Sequence, residues 1–436
     1  MTHHHTTFPD SSEPAVMVSR SFAWIIFGLT FGLLVSDYMS RQVLNAVFPL
    51  LKSEWNLSDA QLGGLSGIVA LMVGLLTFPL SVVADRWGRV RSLTIMAALW
   101  SCATLGCGLA QNYLQMFGAR FLVGVGEAAY GSVGIAVVLS VFPASMRATL
   151  TAAFMAGGMF GSVLGMGLGG ALAAGLGWRW SFFGMALFGL GLAIFYPVVV
   201  KPSRIDVKPS RPDIWKSSYP KTAQRSALAS LVGSPSVIAA YVGSGLQLFV
   251  AGAVLVWMPS YLNRYYGLVP DKASALAAGF VLISGVGMII CGMLSDRLCR
   301  DRPERKIVMA IGYAISSGVL LLIAFYLPVG PLQLITIACG MFVAAGTNGP
   351  AGAIVAGLTD PSVHGTAFAT LTLANNLLGM ATGPYLTGVL ADRFGLLGAF
   401  QTIPLVSLLA SLIFLSTRGR YLGDLERVKA MQSVSG

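Results

Sequence analysis

Four charged side chains lie in stretches otherwise apolar enough for a lipid bilayer. They form two motifs, Asp37-Tyr-Met-Ser-Arg41 and Arg120-Phe-Leu-Val-Gly-Val-Gly-Glu127. A charge at the bilayer centre costs roughly 3 kcal/mol or more, so such residues usually mark an ion or substrate path. Arginine offers a planar fork that fits a carboxylate or phosphate, and a buried carboxyl can carry a proton. Asp37 and Arg41 are at i and i+4 and share one helix face; Arg120 and Glu127 are seven apart, again nearly one face. Counted from Pro49, Arg41 lies roughly 12 Å deep and Asp37 roughly 18 Å. Counted from Leu114, Arg120 lies roughly 9 Å deep and Glu127 roughly 20 Å. The two arginines thus share one depth and the two acids another. One reading is a pair of structural ion pairs. The other is an anion and proton site, favoured because buried pairs rarely stabilise a fold on balance. With both acids ionised the four charges cancel; a proton on either leaves a net positive site that an anion can enter.

The elements that must hold these residues follow from composition. Of 436 residues, 55% are hydrophobic and 10% charged, against about 25% charged in soluble domains. Twelve segments are long enough to span a bilayer as helices. They run near 22–48, 59–82, 91–111, 114–142, 148–175, 178–199, 233–262, 271–296, 305–327, 331–357, 364–390 and 396–416. The net charge of +11 is explained by position: 21 Lys and Arg fall on the side of the N-terminus and 5 on the other. That asymmetry is the positive-inside rule; it puts both termini in the cytoplasm and argues against nucleic-acid binding. Five cysteines show no metal or disulfide spacing, and His3-His4-His5 reads as part of a tail. The first 20 residues have no apolar core, so no cleaved signal is expected. No phosphate-binding Gly-x-x-x-x-Gly-Lys-Ser/Thr loop occurs, so a gradient must supply energy. No nucleophile with a base and no Asp/His cluster suggests a membrane hydrolase, and no cofactor is expected.

The expected organisation is a tail (1–21), a six-helix bundle (22–199), a polar Pro-rich cytoplasmic linker (200–232), a second bundle (233–416) and a tail (417–436). The halves repeat. Asp85-Arg86-Trp-Gly-Arg89 after helix 2 returns 211 positions later as Asp296-Arg297-Leu-Cys-Arg300 after helix 8. Gly170-Ala-Leu-Ala-Ala-Gly-Leu-Gly177 is echoed by Gly388-Val-Leu-Ala-Asp-Arg-Phe-Gly395. Duplicated halves around a midplane site are a transporter architecture. The expected fold is therefore all-α and integral to the membrane, twelve helices in two pseudo-symmetric bundles.

Over its whole length the chain resembles the major facilitator superfamily. Asp85–Arg89 is similar to that family's signature after helix 2, Gly-x-x-x-Asp-Arg-x-Gly-Arg, with Ser81 at the first glycine; the second copy keeps Gly292 and has Cys299 at the second. Arg120 with Gly124-Val-Gly-Glu127-Ala-Ala-Tyr130 resembles the Spinster and organic-anion symporter branches. Those branches carry Asn-Tyr-x-Asp-Arg in helix 1. Here the acid sits one turn earlier, on the same face.

The resemblance and the charges together lead to the expectation of proton-coupled symport of a small organic anion, a carboxylate, by a monomer in the inner membrane. Arg41 and Arg120 would bind the anion. Arg41 would hold Asp37 ionised, leaving Glu127, without a base one turn away, as the proton carrier. Spinster-like export of a lysolipid or amphipathic anion, or drug efflux, is the alternative. Asp85, Arg86, Arg89, Asp296, Arg297 and Arg300 read as gate elements or as topology-setting charges. Gln247, Tyr261, Thr347, Asn348, Asn375 and Asn376 are either contacts for a neutral part of the substrate or interhelical glue. The adjacent pair Asn375-Asn376 is the best candidate contact. Gly157, Gly161, Gly165 and Gly169 recur every fourth residue in helix 5, which reads as close helix packing.

Overall fold

The computed structural model describes residues 18–201, 230–300, 302, 304–360 and 363–435. Most of the 200–232 linker and the 1–21 tail, with His3, His4 and His5, lie outside the described residues. There are no strands among the described residues. The first half holds α1 (Arg20–Trp55), α2 (Asp59–Trp87), α3 (Arg89–Leu109), α4 (Tyr113–Ser140, in two pieces), α5 (Arg147–Leu176) and α6 (Trp178–Val199). The second half holds α7 (Pro235–Tyr266), α8 (Pro270–Cys299), α9 (Arg305–Tyr326) and α10 (Pro331–Leu358, in pieces). It ends with α11 (His364–Ala374, Asn375–Ala381 and Thr382–Thr402) and α12 (Pro404–Ser435). All but α11 are long and apolar enough to cross a membrane by length and composition, and α11 completes twelve. The outward surface is correspondingly apolar, with Leu168, Ile194, Phe195 and Ile335 exposed.

Local chemistry sets the helix ends. Ser58 and Gln61 form a capping box at the start of α2, satisfying two otherwise orphaned donors. Gly177 ends α5 at φ 94° and Gly395 breaks the helix after α11's span at φ 74°. The sequence echo between these two stretches is thus an echo of one left-handed turn that glycine makes without Cβ strain. Gly88 makes a similar turn at φ 95° between α2 and α3. Cys299 is still inside α8, which is why the second signature copy tolerates a side chain there. The residues read as a tail after 416 instead continue α12. Tyr421 is buried on this extension, and Asp424 accepts hydrogen bonds from Ser234 and from Ser236 at 2.7 Å, at the start of α7.

The glycine stripe of α5 lies against α1. A Cβ at Gly157 would stand 3.0 Å from Phe31, one at Gly158 2.9 Å from Tyr38, one at Gly165 2.6 Å from the Met39 backbone and one at Gly169 3.0 Å from Val43. Close packing over Phe31–Val43 fixes the rotation of α1, and with it the direction of Asp37 and Arg41. On α4, a Cβ at Gly124 would stand 2.9 Å from the Val69 carbonyl and one at Gly126 2.7 Å from the Trp100 nitrogen. The two glycines let α4 sink between α2 and α3, which delivers Glu127 to α1.

Candidate functional site

All four membrane charges converge. Arg41 Nε lies 3.0 Å from Asp37 Oδ1 and 2.8 Å from Glu127 Oε2. Asp37 and Glu127 are 2% exposed, and both carboxyls lie against the same Arg41 Nε. Glu127 is therefore not without a base, as its spacing from Arg120 suggested: it shares Arg41 with Asp37. An Nε carries one hydrogen, and its hydrogen bond goes to Asp37. Neither Glu127 oxygen receives a hydrogen bond from a protein donor. A proton on one of the two would relieve the repulsion of like charges that share a single N–H donor.

Arg120 differs from Arg41. It is 1% exposed and gives its hydrogens to backbone carbonyls, those of Ser40 at 2.8 Å, Leu65 at 3.3 Å and Arg41 at 3.4 Å. It rivets α4 to α1 and α2 and places an uncancelled positive charge at the site. The side chain of Arg41 is 23% exposed, stacked at 5.1 Å over Tyr38, and spends only Nε on the acids.

Helices break around this centre. α4 stops at Glu127 and resumes at Tyr130; the Ala128 carbonyl freed there accepts from Thr77 Oγ1 at 2.6 Å. In the other half α10 is interrupted by a tight turn at Ala345–Thr347, and α11 widens into a π turn at Asn375–Ala381. Paired interruptions in the corresponding helices of two repeats, and π turns generally, gather at binding sites.

A cleft opens between the halves, lined by Arg41, Gln42, Asn45, Ser66, Val69, Ala70 and Arg120 from the first and by Val256, Asn376 and Met380 from the second. Asn376 therefore reaches the cleft, while Asn375 lies beside it on the π turn with a buried, unpartnered Oδ1. Asn348 is exposed at the start of the second piece of α10, and Thr347 is buried. Gln247 and Tyr261 do not line the cleft. Gln247 donates to Ser317 at 2.7 Å and Tyr261 to Gln333 at 3.0 Å inside the second half, so both are interhelical bonds. Gln42, Asn45 and Ser66 were not singled out from sequence, although Gln42 adjoins Arg41 and Asn45 follows it at one-turn spacing.

The cleft is closed at the end away from the chain termini. There a Cβ on Gly63 would fall inside the Pro384 carbonyl, one on Gly67 inside that of Ala381, and one on Gly388 inside that of Asp59. Asp59, 3% exposed, takes both terminal nitrogens of Arg264 (2.6 and 2.7 Å) and Lys52 Nζ (2.6 Å). Asp392 caps the first turn of α2, accepting from the Asp59 and Ala60 nitrogens at 2.7 and 2.9 Å. Nearer the chain termini, a Cβ on Gly74 would still meet Asn376 and one on Gly285 Met159. One turn further, Phe78 on α2 is 56% exposed and Met155 on α5 48%. Asp85, Arg86, Asp296, Arg297 and Arg300 are all exposed at this open end, and Arg89 stands 3.9 Å from Asp85.

Two six-helix halves that meet at one end of a charged, midplane cleft and part at the other define a secondary transporter. The sequence profile of the Major Facilitator Superfamily matches residues 30–302 and 240–431. The chain belongs to that superfamily, and is a transporter and not an enzyme. Protein spinster homolog 1 of Xenopus laevis is 27% identical over 402 residues, covering 86% of this chain and 74% of the relative. The hexuronate transporter of Bacillus subtilis (strain 168) is 22% identical over 384 residues, covering 87% and 90%. A crystal structure of a bacterial homologue of the human lysosomal transporter Spinster, inward-facing and unoccupied, superposes with a TM-score of 0.81 over 93% of this chain and 99% of that one, at 19% identity. The shared feature is the fold.

Proposed function

We propose that the protein is a proton-coupled symporter of a small organic anion, working by alternating access, with its termini in the cytoplasm of a cell whose inner membrane it spans. The observation that carries this reading is one Nε–H of Arg41 placed between two buried carboxyls at the edge of an open cleft. Arg41, with both terminal nitrogens unspent on the acids, takes the anion; Arg120 supplies background positive charge. Asp37 keeps Arg41 in place, and Glu127, the acid that receives no hydrogen, carries the proton. Protonation of Glu127 removes one negative charge beside Arg41, which favours anion entry; anion release frees Arg41 to draw the proton off. The distribution of Lys and Arg supports an open end that faces the cytoplasm. The similarity to a hexuronate transporter supports an organic acid as substrate, and that to Spinster keeps an amphipathic anion as the second reading.

Glu127→Gln mimics the protonated acid. In proteoliposomes loaded with substrate it should retain anion exchange within about threefold of wild type while losing accumulation driven by a pH gradient, because a fixed neutral group contributes no proton term to the coupling. Asp37→Asn should weaken anion binding instead. Full pH-driven accumulation by the Glu127→Gln protein would refute the assignment of the proton.

A further inference from the structure

We propose that the cleft selects an anion carrying hydroxyl donors beside its charge, a hydroxylated carboxylate, and that Asn376, Ser66 and Gln42 make that selection. This rests on the anion-binding reading above and goes beyond it by naming what the rest of the ligand must be.

The inference comes from counting which hydrogen-bond groups at the cleft are already spent. Asn376 Nδ2 donates to the Thr372 carbonyl at 2.9 Å. A carbonyl can only accept, so the amide orientation is settled and Asn376 presents Oδ1, an acceptor, beside its second N–H. Asn45, 2% exposed, is tied at both ends: its Nδ2 donates to Gln42 Oε1 at 2.6 Å, and its Oδ1 accepts from Ser66 Oγ at 2.9 Å. Ser66 has then given away its one hydrogen and offers only lone pairs. Gln42 offers its N–H groups and the second lone pair of its carbonyl. Arg41 offers its two terminal nitrogens. The wall therefore carries donors at Arg41 and Gln42 and acceptors at Ser66 and Asn376.

A carboxylate satisfies the first set and no part of the second. Filled by a plain carboxylate, the cleft would leave Ser66 Oγ and Asn376 Oδ1 facing the ligand without a hydrogen, at a cost on the order of tenfold or more in affinity for each. Hydroxyl groups near the carboxylate meet both acceptors. A site built to bond a substrate hydroxyl discriminates strongly against the analogue lacking it, because its own polar groups go unpaired. A long acyl chain finds little here, since the apolar lining is only Val69, Ala70, Val256 and Met380. Asn45 makes no direct approach; it is a positioning residue that holds Gln42 and Ser66 in these roles.

The test is binding to the purified full-length protein, read by calorimetry, with gluconate, hexanoate, sorbitol and a lysophospholipid as probes. Gluconate and hexanoate share chain length and charge and differ in hydroxyls; sorbitol keeps the hydroxyls and lacks the charge. Gluconate should bind at least tenfold tighter than hexanoate, and sorbitol more weakly than gluconate. Asn376→Leu and Ser66→Ala should each shrink the gluconate-to-hexanoate ratio by about tenfold, chiefly by weakening gluconate. If hexanoate bound as tightly as gluconate, and Arg41→Gln abolished both, the hydroxyl selection would be wrong and the anion site would stand. If neither acid bound, or only the lysophospholipid did, the carboxylate reading itself would fall and this inference with it. The wild-type series alone decides between these outcomes, whatever the variants do to folding.

Discussion

At the loop end of the cleft, Asp59 is 3% exposed and gripped by Arg264 and Lys52, and three glycines bring α2 and α11 backbone to backbone. At the chain-terminal end, the Asp85 side chain is 71% exposed and its partner Arg89 stands 3.9 Å away on the same turn. One end is closed by steric fit first and charge second; the other, in this state, has charge and no fit. The difference shows what a gate needs. Exposed ion pairs are worth roughly 0–1 kcal/mol, too little to hold two six-helix halves together. Glycine-mediated contact removes water and lets a buried carboxylate meet its partners in a drier setting, where the same charges count for more.

The strongest way to break this contrast is steric. Gly63→Ala puts a methyl group into the Pro384 carbonyl, and no flexible side chain is there to yield. Overpacking costs typically 1–3 kcal/mol, so the closed loop end should lose population by roughly tenfold to a hundredfold. Spin labels at Gln111 and Val329, exposed on opposite halves at that end, should show a longer distance. An unchanged distance distribution would mean that the glycine contact is not what holds the end shut.

Removing charge should do less. Asp59→Asn leaves Arg264 and Lys52 without their shared carboxylate, yet these two are 25% and 36% exposed and can turn to water. Loss of a fully buried pair costs 3–5 kcal/mol; with that exposure we expect about 1–2 kcal/mol, a loosening of roughly tenfold in the same spin-label measurement. Asp392 continues to cap α2 in this variant, which limits the effect. Opening as large as that of Gly63→Ala would reverse the order of steric fit and charge.

Much of the architecture was legible in the sequence because it depends on one-dimensional patterns. Twelve apolar segments, the repeated Asp-Arg loop and the four-residue glycine spacing in α5 all record constraints along a single helix. The shared depth of Asp37 and Glu127 followed from helix rise alone, and both carboxyls do reach one Arg41 Nε. Pairing was not legible. Which acid meets which arginine depends on the rotation of α4 about its axis, and that is set by Gly124 and Gly126 against α2 and α3. Spacing within α4 carries no such information. Gln247 and Tyr261 looked like Asn376 in sequence, because a polar residue in an apolar helix does not say which neighbour it faces. The loop-end cluster was missed for another reason: Lys52 and Arg264 served only to count charge by side. The signal that could have revealed it is the Ser58-Asp59-x-Gln61 start of α2, a capping box beside an acid with nothing local to pair with.

The smallest expected effect is at the open end. Asp85→Asn removes one partner of an exposed pair between residues four apart on the chain, worth roughly 0.3–0.5 kcal/mol, so gluconate affinity and the closed-end population read by the Gln111 and Val329 labels should change by no more than about twofold. Its consequence should be kinetic. For the cleft to face the other way, α2 must bring its Asp85 turn toward the second half, as the loop end does here through Asp59. An aspartate arriving there can pair with a basic side chain or with a helix start, where a negative charge is favoured; an asparagine offers much less. Turnover in proteoliposomes should therefore slow severalfold while equilibrium binding stays. If binding collapsed and exchange kept its rate, Asp85 would belong to the ligand site, and the two ends would not be counterparts.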